Sequence, residues 1–372
     1  MTPRAELSIL DLETLAPTTN EATSLIMYSS DFDIGRIVAG DRAAVESAVG
    51  RWREQPVDDI RIVDAPAAGF PAGRTTIAHE AAVTGPGTFA GKFQRTLRFK
   101  PSRRPGWWIR RTDLDEQLPI EVAARNIWTA ARNIVLRSGN PHNYLRMVEH
   151  IVALRAGLGI DDLVLETDSG DPPLFVRSSM DIVEALEEAG IVASPGAGAA
   201  PLITVREPVT IGGGRGDFVT LLPAPRGWRK LRMDVAIDWN SVIGRQRIVF
   251  DVTRDNFAFG AAARTNATRR QMALVRLFGW LFADTRNLGY TRENILIHGR
   301  RRYVNEPVAQ FEHNGRNYEP VWHRATLDLL AAIALLEGGR FVGTAISYRA
   351  GHLLDTRLMT LLELRDLLVP LE

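Results

Sequence analysis

Two breaks rich in small residues constrain the fold of this 372-residue chain more than any other feature. The first is Ala65-Pro66-Ala67-Ala68-Gly69-Phe70-Pro71-Ala72-Gly73, and the second runs from Ala193 to Pro201. Proline withholds a backbone donor and glycine loses much conformational freedom on ordering, so both stretches suit linkers better than regular elements. They divide the chain into residues 1–73, 74–200 and 201–372. The last two parts are of comparable size, and each is long enough to bury a core of its own.

Within 74–200, Phe93 to Phe99, Trp107 to Arg110 and Leu163-Val164-Leu165 read as strands, and Val122 to Val135 has strand-like β-branched and aromatic content. Arg146 to Leu158 carries Met147, Val148, Ile151, Val152 and Leu154 at helical spacing, with Gly157 and Gly159 as the stop. Met180 to Ala189 is a second amphipathic helix, closed by Gly190. Residues 201–372 repeat the theme with strands at Phe218 to Leu222, Leu231 to Ile237, Arg247 to Val252 and Ile295 to Ile297, and a fifth such run from Phe341 to Ser347. Helices are expected at Arg269 to Asp284, Arg324 to Leu336 and Leu354 to Leu368. Mixed strands and helices in two similar halves predict an α+β pair of domains with a site between them. Residues 1–73 read as an N-terminal extension and linker, with one helix from Asp41 to Arg53.

The sequence contains no cysteine, so disulfides, thiolate ligands and a cysteine nucleophile are excluded, and any metal must be held by His, Asp or Glu. With 45 Lys+Arg against 44 Asp+Glu, the net charge of +1 speaks against a dedicated nucleic-acid partner. The first residues lack the basic and apolar regions of a secretory signal. The most apolar run, Leu327 to Leu336, is interrupted by Asp328 and is too short to span a bilayer. The expected location is the cytoplasm.

Three histidines stand in chemically useful company. His150 follows Glu149 inside a helix, where neighbours are about 100° apart, so one could bind a metal while the other reaches its water. A solvated helix edge is the alternative. His323 precedes Asp328 by five residues, and that carboxylate among Leu327, Leu329, Leu330, Ala331 and Ala332 is costly to bury unless paired or metal-bound. His352 lies in Tyr348-Arg349-Ala350-Gly351-His352, whose small residues permit close backbone approach. His79, His142, His298 and His313 read as surface residues, and Gly212-Gly213-Gly214-Arg215-Gly216 as a hairpin turn.

The run Val148-Glu149-His150 followed by Ala156-Gly157-Leu158-Gly159-Ile160-Asp161 resembles the metal-binding helix of the UDP-3-O-acyl-N-acetylglucosamine deacetylase family, zinc hydrolases of lipid A synthesis. Further pieces keep the family's order: Arg110-Arg111-Thr112-Asp113-Leu114, Ile243-Gly244-Arg245-Gln246-Arg247, Ala263-Arg264-Thr265, His323-Arg324 with Asp328, and Arg349-Ala350-Gly351-His352. The resemblance covers roughly Arg74 to the C-terminus.

The resemblance implies two domains, each a sheet with a helical layer, packed helices-inward around a cleft. It implies that His150, His323 and Asp328 hold zinc with one position open, that Glu149 is the general base, and that Thr265 binds the developing oxyanion. His352, as imidazolium, would stabilise that charge and protonate the leaving amine, and Arg324 would contact charge on the substrate in place of the family's lysine. The implied partner is an acylated UDP-N-acetylglucosamine or a related N-acetylated glycoconjugate, a substrate compatible with a membrane surface, from which acetyl is removed. The family spaces its second histidine and its aspartate four apart, about 40° around a helix, against about 140° for the five here. Either a π-bulge or a His323 placed ahead of the helix would bring both to one ion; a regular helix would put Arg324 there. The family's later orienting aspartate falls at Ala332, its early cleft histidine at Phe89, and its Asp-Gly-Ser-Ala at Val176-Arg177-Ser178-Ser179. These departures also fit a second reading, a catalytically inactive paralogue that binds a nucleotide sugar or a partner protein. An acyl-chain tunnel is a family feature, but Leu274, Val275, Leu277, Phe278, Trp280 and Leu281 read as ordinary core.

Overall fold

Alternating burial decides which runs become strands: in Trp107–Arg111 the side chains of Trp107 and Ile109 are buried and those between and after them are less so. The computed structural model describes residues 33–63, 70–115, 118–278 and 289–371. Its elements begin with β1 (Arg36–Ala39), α1 (Arg42–Arg53) and β2 (Asp59–Arg61). The first half follows with β3 (Ala81–Pro86), β4 (Gln94–Pro101), β5 (Trp107–Arg111), β6 (Ile120–Glu121), α2 (Glu149–Leu158), β7 (Leu163–Thr167) and α3 (Met180–Glu188). These strands form a five-stranded sheet in the order β3-β4-β7-β5-β6, in which β7 runs antiparallel to β4 and parallel to β5.

The second half supplies β8 (Val209–Gly212), β9 (Phe218–Leu222), β10 (Leu231–Trp239), β11 (Gly244–Asp251), α4 (Arg254–Ala261), β12 (Asn266–Thr268), α5 (Arg269–Phe278) and β13 (Leu296–His298). A composite helix, α6, joins Glu319–His323, a π-helical stretch Arg324–Leu329 and Leu330–Ile333. The chain then forms β14 (Gly343–Tyr348) and α7 (His352–Leu364). The result is a mixed α/β architecture. The turn over Gly212 to Gly216 joins β8 and β9 as an antiparallel hairpin, closed by Gly213 N–H donating to the Asp217 carbonyl at 2.9 Å.

The larger sheet has seven strands in the order β1-β8-β9-β14-β10-β11-β2. Both of its edges therefore come from the stretch read as an extension, with β1 parallel to β8 and β2 parallel to β11. Between them α1 buries Val45, Ala48, Val49 and Trp52 against Phe218, Ala236, Val249, Ile346 and Tyr348. Residues 36–61 are thus built into the second half, because a strand such as β10, whose residues Leu231 to Ile237 are buried on both faces, needs a cover on each. The opposite face joins one large apolar cluster that includes residues of both halves.

In that cluster α2 packs on α4 and α6. Gly157 allows the approach: a Cβ there would stand 2.0 Å from the Phe257 ring on α4. The stop signal belongs to Gly159 alone, which caps α2 with φ of 68°.

Several expectations shift. Val122 to Val135 contains a 3-10 turn at Ala124–Asn126 and one short strand, Ile127–Thr129, before another strand starts at Val135. The last helix stops at Leu364, and Leu368–Pro370 is a strand. The helix from Arg269 is described to Phe278, and its expected continuation to Asp284, with Trp280 and Leu281, lies outside the described residues. Leu274 and Leu277 are exposed rather than core, since α5 turns Met272 toward Ile295 and Ile297. His298 is buried, stacked on Trp239 at 5.9 Å between ring centroids, while His79, His142 and His313 are exposed. Among the described residues no helix is long and apolar enough to cross a membrane.

Candidate metal centre

Glu149 opens α2, where the helix dipole favours a carboxylate. Its side chain is buried, and Oε2 accepts the Ile134 N–H at 3.0 Å. Met147, two residues earlier, holds φ of 49°, a left-handed conformation that turns the chain sharply into the helix. His150 follows, its backbone carbonyl accepting the Ser179 hydroxyl at 2.8 Å. Ser178 donates to the Ala263 carbonyl at 2.7 Å, so the Ser178-Ser179 pair ties both halves to the site.

The five-residue spacing is accommodated by the helix itself. Arg324–Leu329 is π-helical, and the wider turn keeps His323 and Asp328 together, with His323 Nδ1 3.5 Å from Asp328 Oδ1. Inside the stretch the Thr326 hydroxyl donates to the Trp322 carbonyl, four residues back, a side-chain intrusion of the kind that accompanies local helix distortion.

His352 is the first residue of α7 and enters from a third element. Its Nε2 lies 3.5 Å from Asp328 Oδ1 and 3.7 Å from Glu149 Oε1. Thr265, in the loop between α4 and β12, completes the group. Its hydroxyl stands 2.9 Å from His150 Nε2 and 3.1 Å from His323 Nε2, and the two imidazole centroids are 5.3 Å apart. Glu149, His150, Thr265, His323, Asp328 and His352, from four helices or their flanking loops, therefore meet in one place.

Arg324 does not join them. Its guanidinium is buried behind the site, donating to the Ala350 carbonyl at 2.9 Å, to Ser347 Oγ at 3.1 Å and to Asp355 Oδ1 at 2.6 Å. The position expected to contact the substrate instead anchors the turn that leads into His352, because the widened helix rotates this side chain toward β14 and α7. Phe89 stands edge-on to Tyr290 at 6.0 Å between ring centroids, and the Tyr290 hydroxyl is 3.2 Å from Met147 Sδ.

Two supporting residues were not singled out in the sequence. Glu319 takes the Arg264 guanidinium at 2.7 and 3.1 Å and the Arg264 N–H at 3.0 Å, all out of solvent, and so fixes the Thr265 loop to the start of α6. The acidic residue before Pro320 signals a helix start, but its pairing across 55 residues leaves no local trace. Asp355, three residues past His352, is the buried partner of Arg324.

The protonation pattern follows from burial and crowding. Burial pushes Glu149 above the usual carboxylate range, against the pull of His352. His150 is pushed down to about 3 by burial and by the neighbouring His323. Burial likewise lowers His323. Burial alone would raise Asp328, but His352, His323 and Arg324 outweigh it and hold the carboxylate below its ordinary value. For His352 burial opposes the charge, yet the carboxylates of Asp328 and Glu149 prevail and raise it. The pattern is two neutral imidazoles, one ionised carboxylate, one carboxyl prone to take a proton and one imidazole prone to keep it.

His150, His323 and Asp328 are the residues that could hold a metal: two neutral ring nitrogens and one carboxylate form a donor set suited to a catalytic zinc ion. Asp328 Oδ1 supports that fit, since it is buried without a hydrogen bond among protein groups. The side chains are neighbours without converging on one point, and among the described residues no three of them stand as a ready coordination set.

The fold and site define a mixed α/β protein whose helices carry a buried cluster of histidines and carboxylates around one hydroxyl. The chain belongs to the UDP-3-O-acyl N-acetylglycosamine deacetylase family, whose model matches residues 74–363. It is 30% identical over 287 residues to a UDP-3-O-acyl-N-acetylglucosamine deacetylase of Thermosynechococcus vestitus, covering 76% of this chain and 91% of that protein. The protein of the same name from Brucella ovis is 27% identical over 289 residues, covering 76% of this chain and 92% of its own length. Residues 1–73 precede the family match, although β1, α1 and β2 lie among them.

Proposed function

We propose that this chain is a zinc-dependent amide hydrolase that removes the acetyl group from an acylated UDP-N-acetylglucosamine or a closely related N-acetylated glycoconjugate. The observation that carries the reading is the π-helical stretch Arg324–Leu329, which keeps Asp328 beside His323 despite the five-residue spacing. His150, His323 and Asp328 would hold the ion, which when bound supplies Lewis acidity toward water and the amide carbonyl.

The chain's own groups divide the remaining work. Glu149, held by the Ile134 N–H and raised by burial, takes the proton of the attacking water. The Thr265 hydroxyl, fixed through Arg264 and Glu319, donates to the oxygen that gains charge as the carbonyl is attacked. His352, kept protonated by two carboxylates, stabilises that charge and delivers its proton to the departing amine nitrogen. Cleavage leaves acetate and a free amino sugar.

Two departures favour a second reading, a binding protein that has lost turnover: Arg324 is turned away from the cleft, and an aromatic Phe89 stands where the resemblance puts a histidine. Acetate release from the acylated UDP-sugar, measured with zinc content, separates the two. We expect one zinc per chain and turnover that a chelator abolishes. Glu149→Gln should keep the metal and lose about 10²- to 10⁴-fold in kcat, as removal of a general base does. Zinc bound without acetate release would favour the binding protein.

A further inference from the structure

We propose that the chain has a second ligand site, separate from the proposed metal centre, that takes a small amphiphilic anion with a carboxylate or phosphate head. The site is a cavity of about 250 Å³ on the far side of α2 and α6. Its walls include Arg155 from α2, Ile333 from the end of α6, Leu202, Phe341, Lys230 and Arg340. Arg155 lies five residues past His150, about 140° around α2, and faces away from the metal centre.

Among the described residues the charges of the wall do not balance. Lys230 is matched by Asp251 at 2.6 Å, and Arg340 by Asp161 at 2.6 Å. Arg155 has no carboxylate within ion-pair distance among the described residues. Its Nη1 donates to the Val122 carbonyl at 3.1 Å and the Ala334 carbonyl at 2.8 Å. Its Nε and Nη2 make no hydrogen bond among the described residues, which leaves the guanidinium edge that grips an anion through two parallel donors. Burial, with the nearby Arg74, outweighs the more distant carboxylates of Asp161, Asp162 and Glu121 and lowers the affinity of Arg155 for its proton, so the guanidinium is under-compensated. An anion in the cavity supplies the counter-charge. Arg229, exposed at the same cavity, adds a second positive group that pairs with no carboxylate among the described residues. The apolar side chains of Leu202, Ile333 and Phe341 call for a hydrocarbon or ring body behind the head group.

The inference does not depend on the deacetylase reading and is tested by binding alone. Titration calorimetry of the full chain with octanoate, octyl phosphate and octanol compares two anions with a neutral analogue of similar length. We expect an anion to bind once per chain, at least about tenfold tighter than octanol, a difference that one charge-assisted contact can supply. The tighter of the two anions identifies the head group. Arg155→Met should bring its affinity down to that of octanol, and Ala156→Met, which fills the cavity from α2, should abolish binding. His150→Ala should bind octanoate as wild type does; loss there would assign the anion to the metal centre and overturn the proposal. Equal binding of octanol and both anions, or unchanged anion binding in Arg155→Met, would also overturn it. If Arg155→Met does not fold, unchanged binding in Ala156→Met has the same force.

Discussion

At the scale of single residues, the site depends on groups that stay in place because other buried groups hold them. Glu319 is the sharpest case, since it carries the Arg264 guanidinium and the Val308 N–H together at zero exposure. Glu319→Gln leaves that guanidinium without its counter-charge, and we expect a loss of about 3–5 kcal/mol in urea denaturation, the range for breaking a buried pair. The proposed zinc ligands should survive in the fraction that folds, while kcat falls because Thr265 loses its anchor. Protonation gives a second prediction. His150 titrates at about 3 in the folded chain against an ordinary 6.5. Between those values the unfolded chain binds more protons, so stability is lost as pH falls from 6.5 toward 3. In chelator-treated protein, thermal melts should drop across that window, and His150→Gln should flatten the slope. An equal slope in the variant would assign the acid sensitivity elsewhere.

At the scale of elements, the composite helix α6 shows how one additional residue is absorbed. A π-bulge is a one-residue insertion into an α-helix, so Leu330 onward keeps its place in the core while Asp328 stays near His323. Deleting Ala325 should therefore close the helix into regular geometry with a four-residue spacing, about 40° around, and preserve the proposed metal ligands. Zinc stoichiometry checks this: one zinc per chain in the deletion variant is expected, and its loss would mean that the bulge itself sets the position of Asp328. The same helix explains Arg324, which the wider turn directs to Ser347, Ala350 and Asp355. That anchor holds the approach to His352, where Arg349 adopts φ of 55°.

For the whole molecule, the decisive feature is that the two sheets do not stand alone. The seven-stranded sheet takes both edges and its outer cover from residues 36–61. Trp52 sits at the centre of that cover, packed against Phe218 and beneath the Arg247 guanidinium, which is itself paired with Asp234 at 2.7 Å. Trp52→Ala should cost about 3–5 kcal/mol through the cavity it leaves. The loss should appear as a lower denaturation midpoint of the whole chain, since the sheet also carries β14, which leads into His352. A variant that melts in two steps, with the site intact after the first, would show that the cover is an independent unit.

The sequence by itself determined what depends on neighbours along the chain. Periodicity placed α2 around Glu149 and His150, strand-like apolar runs placed β5, β9 and β10, and the motifs of the family resemblance named the six residues that gather at the site. It also posed the right alternatives for His323 and Asp328, because five residues cannot share a face of a regular helix. Only the tertiary structure decided between them, since where a helix widens depends on what it packs against as well as on its own residues. The same holds for Arg324, whose direction is set by Asp355 on another helix, and for His298, buried by Trp239. The residues read as an extension became sheet edges for a related reason: strand pairing between β2 and β11 joins residues almost two hundred positions apart, and hydrogen bonds of that range leave no periodic signal in the chain.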